Sequence, residues 1–296
     1  MTVLKTGDLT IPTQLIEPWI KNVSNGSVIS ALSPNIPMKF GKGEAFVFGT
    51  DEAEYVGEGA NKGDSTYKSN VQSVEPFKFH KTVRWTEEVM WASEDHQLEV
   101  LDQILAEIQP SLSRALDYGI IHGINPKTGE PVDKMAKKLA GSTLSVVADP
   151  NKKAYLEIDA ADALVLDKDN LPFGIALDPS FAARFAGIRD NNGHKLYPDL
   201  SYETAPSRLE GHKSSVSKTV SGKGVVKAPS NILGIVGDFS AVRWGIQKSV
   251  GLEVIRYGDP DGNGDLKRNN QVAFRAEVVY GWGIADLDAF ALIKSE

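Results

Sequence analysis

An acidic, glycine-rich run, Asp259–Asp265, is the part of the sequence whose residue types and spacing best suit metal chemistry. Its oxygen-bearing side chains fall at the first, third, fifth and seventh positions of a calcium-binding loop. The twelfth position holds Asn270, where such loops need a bidentate glutamate, and the flanking segments 252–258 and 271–281 have the composition of strands. The run is therefore predicted to be the turn of a β-hairpin, with calcium binding as a minor alternative.

Other motifs that could carry chemistry are weaker. Segment Gly57–Gly63 contains a lysine but lacks the spacing of a phosphate-binding loop, and the Ser-x-x-Lys matches at Ser65 and Ser215 lie outside helical periodicity. The five histidines are scattered, and the absence of cysteine excludes disulfides, thiolate nucleophiles and iron–sulfur clusters. No catalytic, cofactor-binding or metal-binding residue is predicted. A carboxylate dyad assembled across the fold stays open as the basis of a hydrolase.

Length and composition place these motifs in a folded protein that does not read DNA sequence. The 296 residues are 41% hydrophobic and 24% charged, which is enough apolar material for a sizeable core. A formal net charge of −7 is the opposite of what a dedicated nucleic-acid binder carries. The amino terminus lacks a signal-peptide pattern and no apolar stretch reaches about 18 residues, so no membrane segment is predicted.

Residues 1–36 contain many isolated apolar side chains between prolines, and they do not look like a domain. Apolar residues in such number mark an interaction site. The segment is predicted to be an arm that lies on its own body or on another subunit, and packing on other subunits is the expectation. Its predicted contact residues are Ile11, Leu15 and Trp19.

Residues 37–84 are predicted to form a long β-hairpin. A short strand at Phe46–Phe48 and an imperfectly alternating segment at Val71–Arg84 enclose a polar, acidic middle at Asp51–Asp64. A two-stranded hairpin of this length cannot bury itself and is marginal alone, so it needs a neighbour. Its predicted contact residues are Asp51, Glu52, Glu54, Tyr55, Glu58 and Lys62.

Residues 93–120 show the clearest periodicity in the chain. Apolar side chains recur at alternating intervals of three and four residues, which is one face of an α-helix. Ser93 suits the N-cap, Gly123 ends the helix, and Pro110 is expected to bend it. The helix is predicted to cover a sheet formed partly by the C-terminal strands. Its predicted core face consists of Leu98, Leu101, Leu105, Ile108 and Leu112.

The second half of the chain mixes helices and strands in an irregular order, which favours an α+β fold over a doubly wound sheet. Helices are predicted near 152–167 and after Asp178-Pro179, and a polar stretch at 201–227 is predicted to be a long surface loop. Strands are predicted at 173–177, 231–236, 252–257 and 272–280.

Short motifs recur along the chain in a fixed order and cover nearly its whole length. They are Tyr55–Gly59, Thr86–Glu88, Ala115–Gly123, Asn125–Gly129, Ala176–Pro179, Asp190–Gly193, Gly237–Phe239 and the ending Arg275–Leu292. In their order and spacing these motifs resemble the major capsid proteins of tailed phages of the Hong Kong 97 type.

This resemblance implies an HK97-like α+β fold with an N-terminal arm (1–36), an extended loop (37–84), a peripheral domain with a long spine helix (85–150 and 271–296) and an axial domain (151–270). It implies a structural protein without cofactor that self-assembles, as hexamers and pentamers, into an icosahedral shell enclosing a double-stranded DNA genome. DNA contact would not be sequence-specific, because like charge keeps the genome off the wall.

The resemblance also implies partners and a location. A separate scaffold protein or none is expected, with a portal and decoration proteins as further partners, in a virion made in the bacterial host cytoplasm. The type member cross-links a loop lysine to a neighbour's asparagine, but no motif joins Lys62 or Lys68 to Asn269 or Asn270. Two alternatives stay open: an encapsulin-like compartment of the same fold, and the hydrolase mentioned above.

Overall fold

The computed structural model describes residues 26–41, 43–50, 58, 67–88, 94–197, 206–228 and 230–296. Within these ranges, helices and two β-sheets pack into two hydrophobic cores. The helices are α1 (Val28–Leu32), α2 (Glu94–Asp117), α3 (Ala154–Leu166) and α4 (Pro179–Ala186). The strands are β1 (Gly43–Thr50), β2 (Tyr67–Thr86), β3 (Ser145–Val147), β4 (Gly174–Leu177), β5 (Arg208–Leu209), β6 (His212–Val216), β7 (Ile232–Gly237), β8 (Val242–Ile255), β9 (Gln271–Ile284) and β10 (Phe290–Lys294).

The first sheet is antiparallel and has four strands in the order β1-β2-β9-β8. The long strand β2 pairs with two partners along different parts of its length. Residues 67–74 pair with β1, whereas residues 75–86 pair with β9. The β1–β2 pairing therefore extends past the β9 ladder as a two-stranded ribbon, about 25 Å long at a rise of about 3.3 Å per residue.

The second sheet has six strands in the order β3-β10-β7-β4-β6-β5. Helices cover one of its faces, where Ile175 and Leu177 of β4 pack with Phe181 and Phe185 of α4. Ala176, between the two β4 residues, belongs to the first core on the opposite face. Because successive strand residues point to opposite faces, a sheet buried on both sides explains why all four residues of β4 are buried.

Helix α2 packs against β2 and β9 of the first sheet. The helix continues through Pro110 and ends in one wider turn, Tyr118–His122, which Gly123 closes in the left-handed conformation with φ 65°. Gly119 is required here, since a Cβ atom would lie 2.6 Å from the Trp282 ring. The predicted helix end at Gly123 is therefore where the helical backbone stops.

In its described part the predicted surface loop at 201–227 is right only for residues 217–227, which form turns and irregular structure. Residues 212–216 form β6, which runs parallel to β4, and residues 208–209 form β5 beside it. Thr219 and Val220 are fully buried. The serine, glycine and lysine content of this stretch suggested solvent exposure. Pairing with β4 gives β6 its backbone hydrogen bonds, so a polar segment forms a strand here without apolar alternation.

Sheet membership and the predicted domain boundaries do not coincide. Strand β8, within the predicted axial region 151–270, belongs to the four-stranded sheet, while β3 and β10, from the predicted peripheral region, belong to the six-stranded sheet. Each sheet therefore contains strands from both predicted regions.

Candidate functional site

The acidic run Asp259–Asp265 lies in the connection between β8 and β9, where its oxygens surround an arginine side chain. Arg84 Nη2 donates to Asp259 Oδ1 at 2.8 Å and to the carbonyl oxygen of Gly264 at 2.9 Å, and Arg84 Nε donates to Asp261 Oδ1 at 2.7 Å. The guanidinium holds the pKa of Asp261 well below its usual value. Oxygens that could have served calcium are thus engaged by a cation of the chain itself.

Further contacts tie the same connection, residues 258–270, to β9 and to the residues that directly follow β2. Arg275 Nη2 donates to the carbonyl oxygen of Pro260 at 2.7 Å, and Lys267 Nζ lies 2.6 Å from Glu87 Oε1. Asn270 Nδ2 donates to Glu88 Oε1 at 3.2 Å. The neighbouring carboxylates Glu87 and Glu88 therefore fasten a loop. Throughout the described ranges, no cluster of three or more His, Asp or Glu side chains could hold a metal ion.

A buried polar cluster joins three distant segments at the end of α2. The Asp117 carboxyl accepts hydrogen bonds from the Val28 and Ile29 backbone N–H groups at 3.1 and 3.2 Å, from Thr219 Oγ1 at 2.6 Å, and from the Ser27 hydroxyl. Burial raises the pKa of Asp117, while the hydrogen bonds from Ser27 and Thr219 act in the opposite direction. Asp117 appears in the sequence motif at the helix end, but Ser27 and Thr219 carry no local signal.

The described end of the arm packs on its own chain, which corrects the expectation that the whole arm packs on other subunits. Val28 and Ile29 are 2% and 0% exposed, and they belong to the first core. Asp117 explains this placement, because it satisfies N–H groups in the first turn of α1 that have no partner within the helix. The predicted arm contacts Ile11, Leu15 and Trp19 lie outside the described residues.

The predicted contacts of the extended hairpin lie mostly beyond the described ranges. Glu58 is an exposed turn residue. The positions outside the description are Asp51, Glu52, Glu54, Tyr55 and Lys62.

The predicted core face of the long helix faces the first sheet. Leu101, Leu105, Ile108 and Leu112 are 0–7% exposed and share the core with Phe274 of β9. Leu98 lies in α2, and its side chain is outside the described part of the structure.

Large hydrophobic side chains also lie on the surface. Phe173 and Phe40 are 64% and 68% exposed, and Leu156, Leu166 and Leu171 are about half exposed at 48%, 50% and 56%. Three of these, Leu166, Leu171 and Phe173, lie between the end of α3 and the start of β4. Such side chains are available for burial against another protein surface.

Comparison with known proteins identifies the family. The phage capsid family matches residues 7–295. A solved structure from Mycobacterium phage Ogopogo is 40% identical, with a TM-score of 0.78 over 91% of this chain and 92% of that one. A structure from Gordonia phage Cozz is 28% identical, with a TM-score of 0.76 over 91% of this chain and 86% of that one. No curated protein sequence matches.

More distant structures share the fold. The capsid of an empty GTA particle is 14% identical with a TM-score of 0.58, over 91% of this chain and 90% of that one. The α+β architecture is thus the HK97-like fold, as the sequence predicted. Among the described helices, none is long and apolar enough to cross a membrane. The chain belongs to the phage capsid family, and it is accordingly a structural major capsid protein of a virion and not an enzyme.

Proposed function

We propose that copies of this chain assemble as hexamers and pentamers into a closed icosahedral shell around a double-stranded DNA genome. The observation that carries this proposal is the β1–β2 ribbon, which extends past the β9 ladder. A two-stranded ribbon is marginal in water by itself. In a protein that forms shells, the neighbouring copy is the surface against which such a ribbon packs.

We propose that the chain divides by role into the arm (1–36), the extended loop (37–84), a peripheral region (85–150 and 271–296) and an axial region (151–270). The exposed side chains between the end of α3 and the start of β4 fall in the axial region. They support contacts among copies around a capsomer axis, because a ring of copies would remove them from water.

The arm and the tip of the extended loop are proposed as the contacts between subunits. Ile11, Leu15 and Trp19 would bury apolar surface on a second copy. Between Asp51 and Asp64 the loop has five acidic residues and one lysine, so a basic surface is the expected partner. Each exposed ion pair contributes only about 0–1 kcal/mol, but a shell repeats it in every subunit.

Packaged DNA and other phage proteins are also proposed as partners of the shell. A chain with a net charge of −7 does not attract phosphate, so packaged DNA is proposed to lie inside without sequence-specific contact. The resemblance to tailed-phage capsids supports a separate scaffold, a portal and decoration proteins as partners, and assembly in the bacterial host cytoplasm.

Electron microscopy of the expressed chain tests the shell, and deletion of residues 1–25 tests the arm. We expect closed particles from the full chain, either alone or with a scaffold, and folded but unassembled protein from the deletion. A deleted chain that still forms closed shells of normal size would remove the arm from the mechanism.

Charge reversal at the loop tip tests its electrostatic docking. Glu54→Lys with Glu58→Lys should raise the concentration needed for assembly, most strongly at low salt, where the Debye length exceeds about 10 Å. Light scattering against protein concentration at two salt levels measures this. The control is Asp102→Lys with Asp133→Lys, which changes the net charge equally at exposed sites outside the proposed contacts. Coincident curves for the wild type and the tip variant would exclude this docking.

A further inference from the structure

The hydrogen bonds of Asp117 have a geometry that an amide could not reproduce. The Val28 N–H points to Oδ2 and the Ile29 N–H to Oδ1, so both carboxyl oxygens accept from backbone groups. The hydroxyls of Ser27 and Thr219 add one donor to each oxygen. A backbone N–H can only donate, and therefore the site requires acceptors on both sides of the side chain.

The segment that follows Ser27 is fixed to the same subunit by further bonds. Ser33 Oγ donates to the carbonyl oxygen of Val242 at 2.5 Å, and Trp244 Nε1 donates to the carbonyl oxygen of Ser33 at 3.3 Å. The Ile36 N–H donates to the carbonyl oxygen of Trp244 at 2.9 Å. Residues 27–36, called here the arm root, are thus held at both ends, and Asp117 provides the contacts at the end that adjoins residues 1–25.

Gly26, the first described residue, lies against the C-terminal part of α2. A Cβ atom at Gly26 would lie 2.8 Å from Cβ of Ser113, so the backbone passes directly over α2 one turn before its end. Residues 1–25 precede this point in the chain. Fully extended, a segment of that length reaches at most about 80–90 Å. The direction in which it starts therefore decides which part of a neighbouring copy it can meet.

We propose that Asp117 is a positioning residue for shell assembly, which fixes the arm root on its own subunit so that residues 1–25 are presented to a second copy of this chain. This inference rests on the proposed role of the arm in assembly. It assigns a role to the Asp of the Ala115–Gly123 motif, whose carboxyl group is buried at the end of α2.

Substitution Asp117→Asn tests the proposal with little change of shape. An amide presents N–H groups where one backbone N–H needs an acceptor, so the arm root should be released. Hydrogen exchange of the Val28 and Ile29 amides should accelerate by about tenfold or more, while β9 amides keep their protection. The concentration needed for assembly should also rise by about tenfold or more. Asp102→Asn, at an exposed position of α2, is the matched control.

A double variant applies if Asp117→Asn fails to fold. Ser27→Ala with Thr219→Val keeps the carboxyl and the backbone bonds but removes both hydroxyl donors. It should give smaller changes in the same direction. Unchanged exchange at the arm root and unchanged assembly in this variant and in any folded Asp117→Asn protein would overturn the proposal.

A disulfide separates positioning from other effects of the substitution. The chain has no cysteine, so Gly26→Cys with Ser113→Cys introduces a single pair. The 2.8 Å separation is somewhat shorter than the about 3.5–4.5 Å between Cβ atoms of a disulfide, so a small outward shift suffices. In the Asp117→Asn chain, the oxidised protein should recover assembly and the reduced protein should not. Equal assembly of the two redox forms would contradict positioning.

Deletion of residues 1–25 distinguishes this inference from the proposed function beneath it. If the deleted chain forms normal shells, the proposed role of the arm fails. If the deleted chain does not assemble but Asp117→Asn assembles like the wild type, only the inference about Asp117 fails.

Discussion

The buried carboxylate of Glu157 is held by an arginine from another helix and by a backbone N–H group. Glu157 of α3 is 3% exposed, and its carboxylate accepts from Arg184 Nη1 at 2.8 Å and from the Asp149 N–H at 2.8 Å. Arg184 also donates to the carbonyl oxygen of Asp149 at 2.8 Å. Removing one member of such a group leaves an unpaired buried charge, which costs more than the pair contributes. The Glu157 carboxylate is therefore engaged in structural contacts.

The pair His212–Asp162 should make stability depend on pH. His212 Nε2 lies 3.1 Å from Asp162 Oδ1, and this contact raises the pKa of His212 above its ordinary value of 6.5. The stabilisation is fully present below the unfolded pKa and is lost as pH rises through the folded pKa. The gap in Tm between wild type and His212→Gln should therefore be larger at pH 5.5 than at pH 8. Asp162→Asn should show the same pattern, and equal gaps at both pH values would contradict this account.

The periodicity of apolar residues predicted elements whose buried face follows from their own sequence. It did not predict structure that depends on partners far away in the chain. The face of α2 follows from leucine spacing alone, because a helix repeats every 3.6 residues. Strand β6, His212–Val216, shows no apolar alternation, and its pairing with β4 and β5 makes it a strand. The Asp117 cluster joins residues 90 and 102 positions apart, which no local pattern encodes.

Truncation of the core face of α2 tests the helix as an element. Leu105 is 7% exposed in the first core, and Leu105→Ala should lower the free energy of unfolding by about 2–5 kcal/mol through lost burial and a residual cavity. Gln103→Ala, at an exposed position of the same helix, should change it by less than about 0.5 kcal/mol. Denaturant titration below the assembly concentration measures both. Equal effects would contradict the assignment of the buried face.

Arg84 should control the order of the loop between β8 and β9. Arg84→Gln removes the guanidinium that links Asp259, Asp261 and the Gly264 carbonyl. Amide exchange in residues 258–270 should accelerate, while the β2–β9 ladder stays protected. Lys81→Gln removes an exposed cation from the same strand and should leave the loop unchanged. Unaltered loop exchange in Arg84→Gln would mean that the backbone turn alone holds the loop.

At the scale of the whole molecule, the six-stranded sheet joins the two cores. Its central strands contribute alternate residues to each side: Leu292 of β10 belongs to the first core and Ile293 to the second. The first core also contains α2 and the sheet that carries the extended ribbon. A strand that serves both cores cannot be lost from one without the other, so the peripheral and axial regions are expected to unfold together.

Two adjacent substitutions test this coupling, because they delete similar side chains from opposite faces of one strand. Leu292 and Ile293 are both 0% exposed, so Leu292→Ala and Ile293→Ala should each cost about 2–5 kcal/mol. Trp244 and Trp282 lie in the first core and report its unfolding by fluorescence, whereas circular dichroism reports all helices and strands. Because strands of the six-stranded sheet contribute to both cores, each variant should shift a single unfolding transition. The two probes should detect that transition at the same denaturant concentration. If the cores were independent, Ile293→Ala would shift only part of the circular dichroism signal and leave the fluorescence transition at its wild-type midpoint.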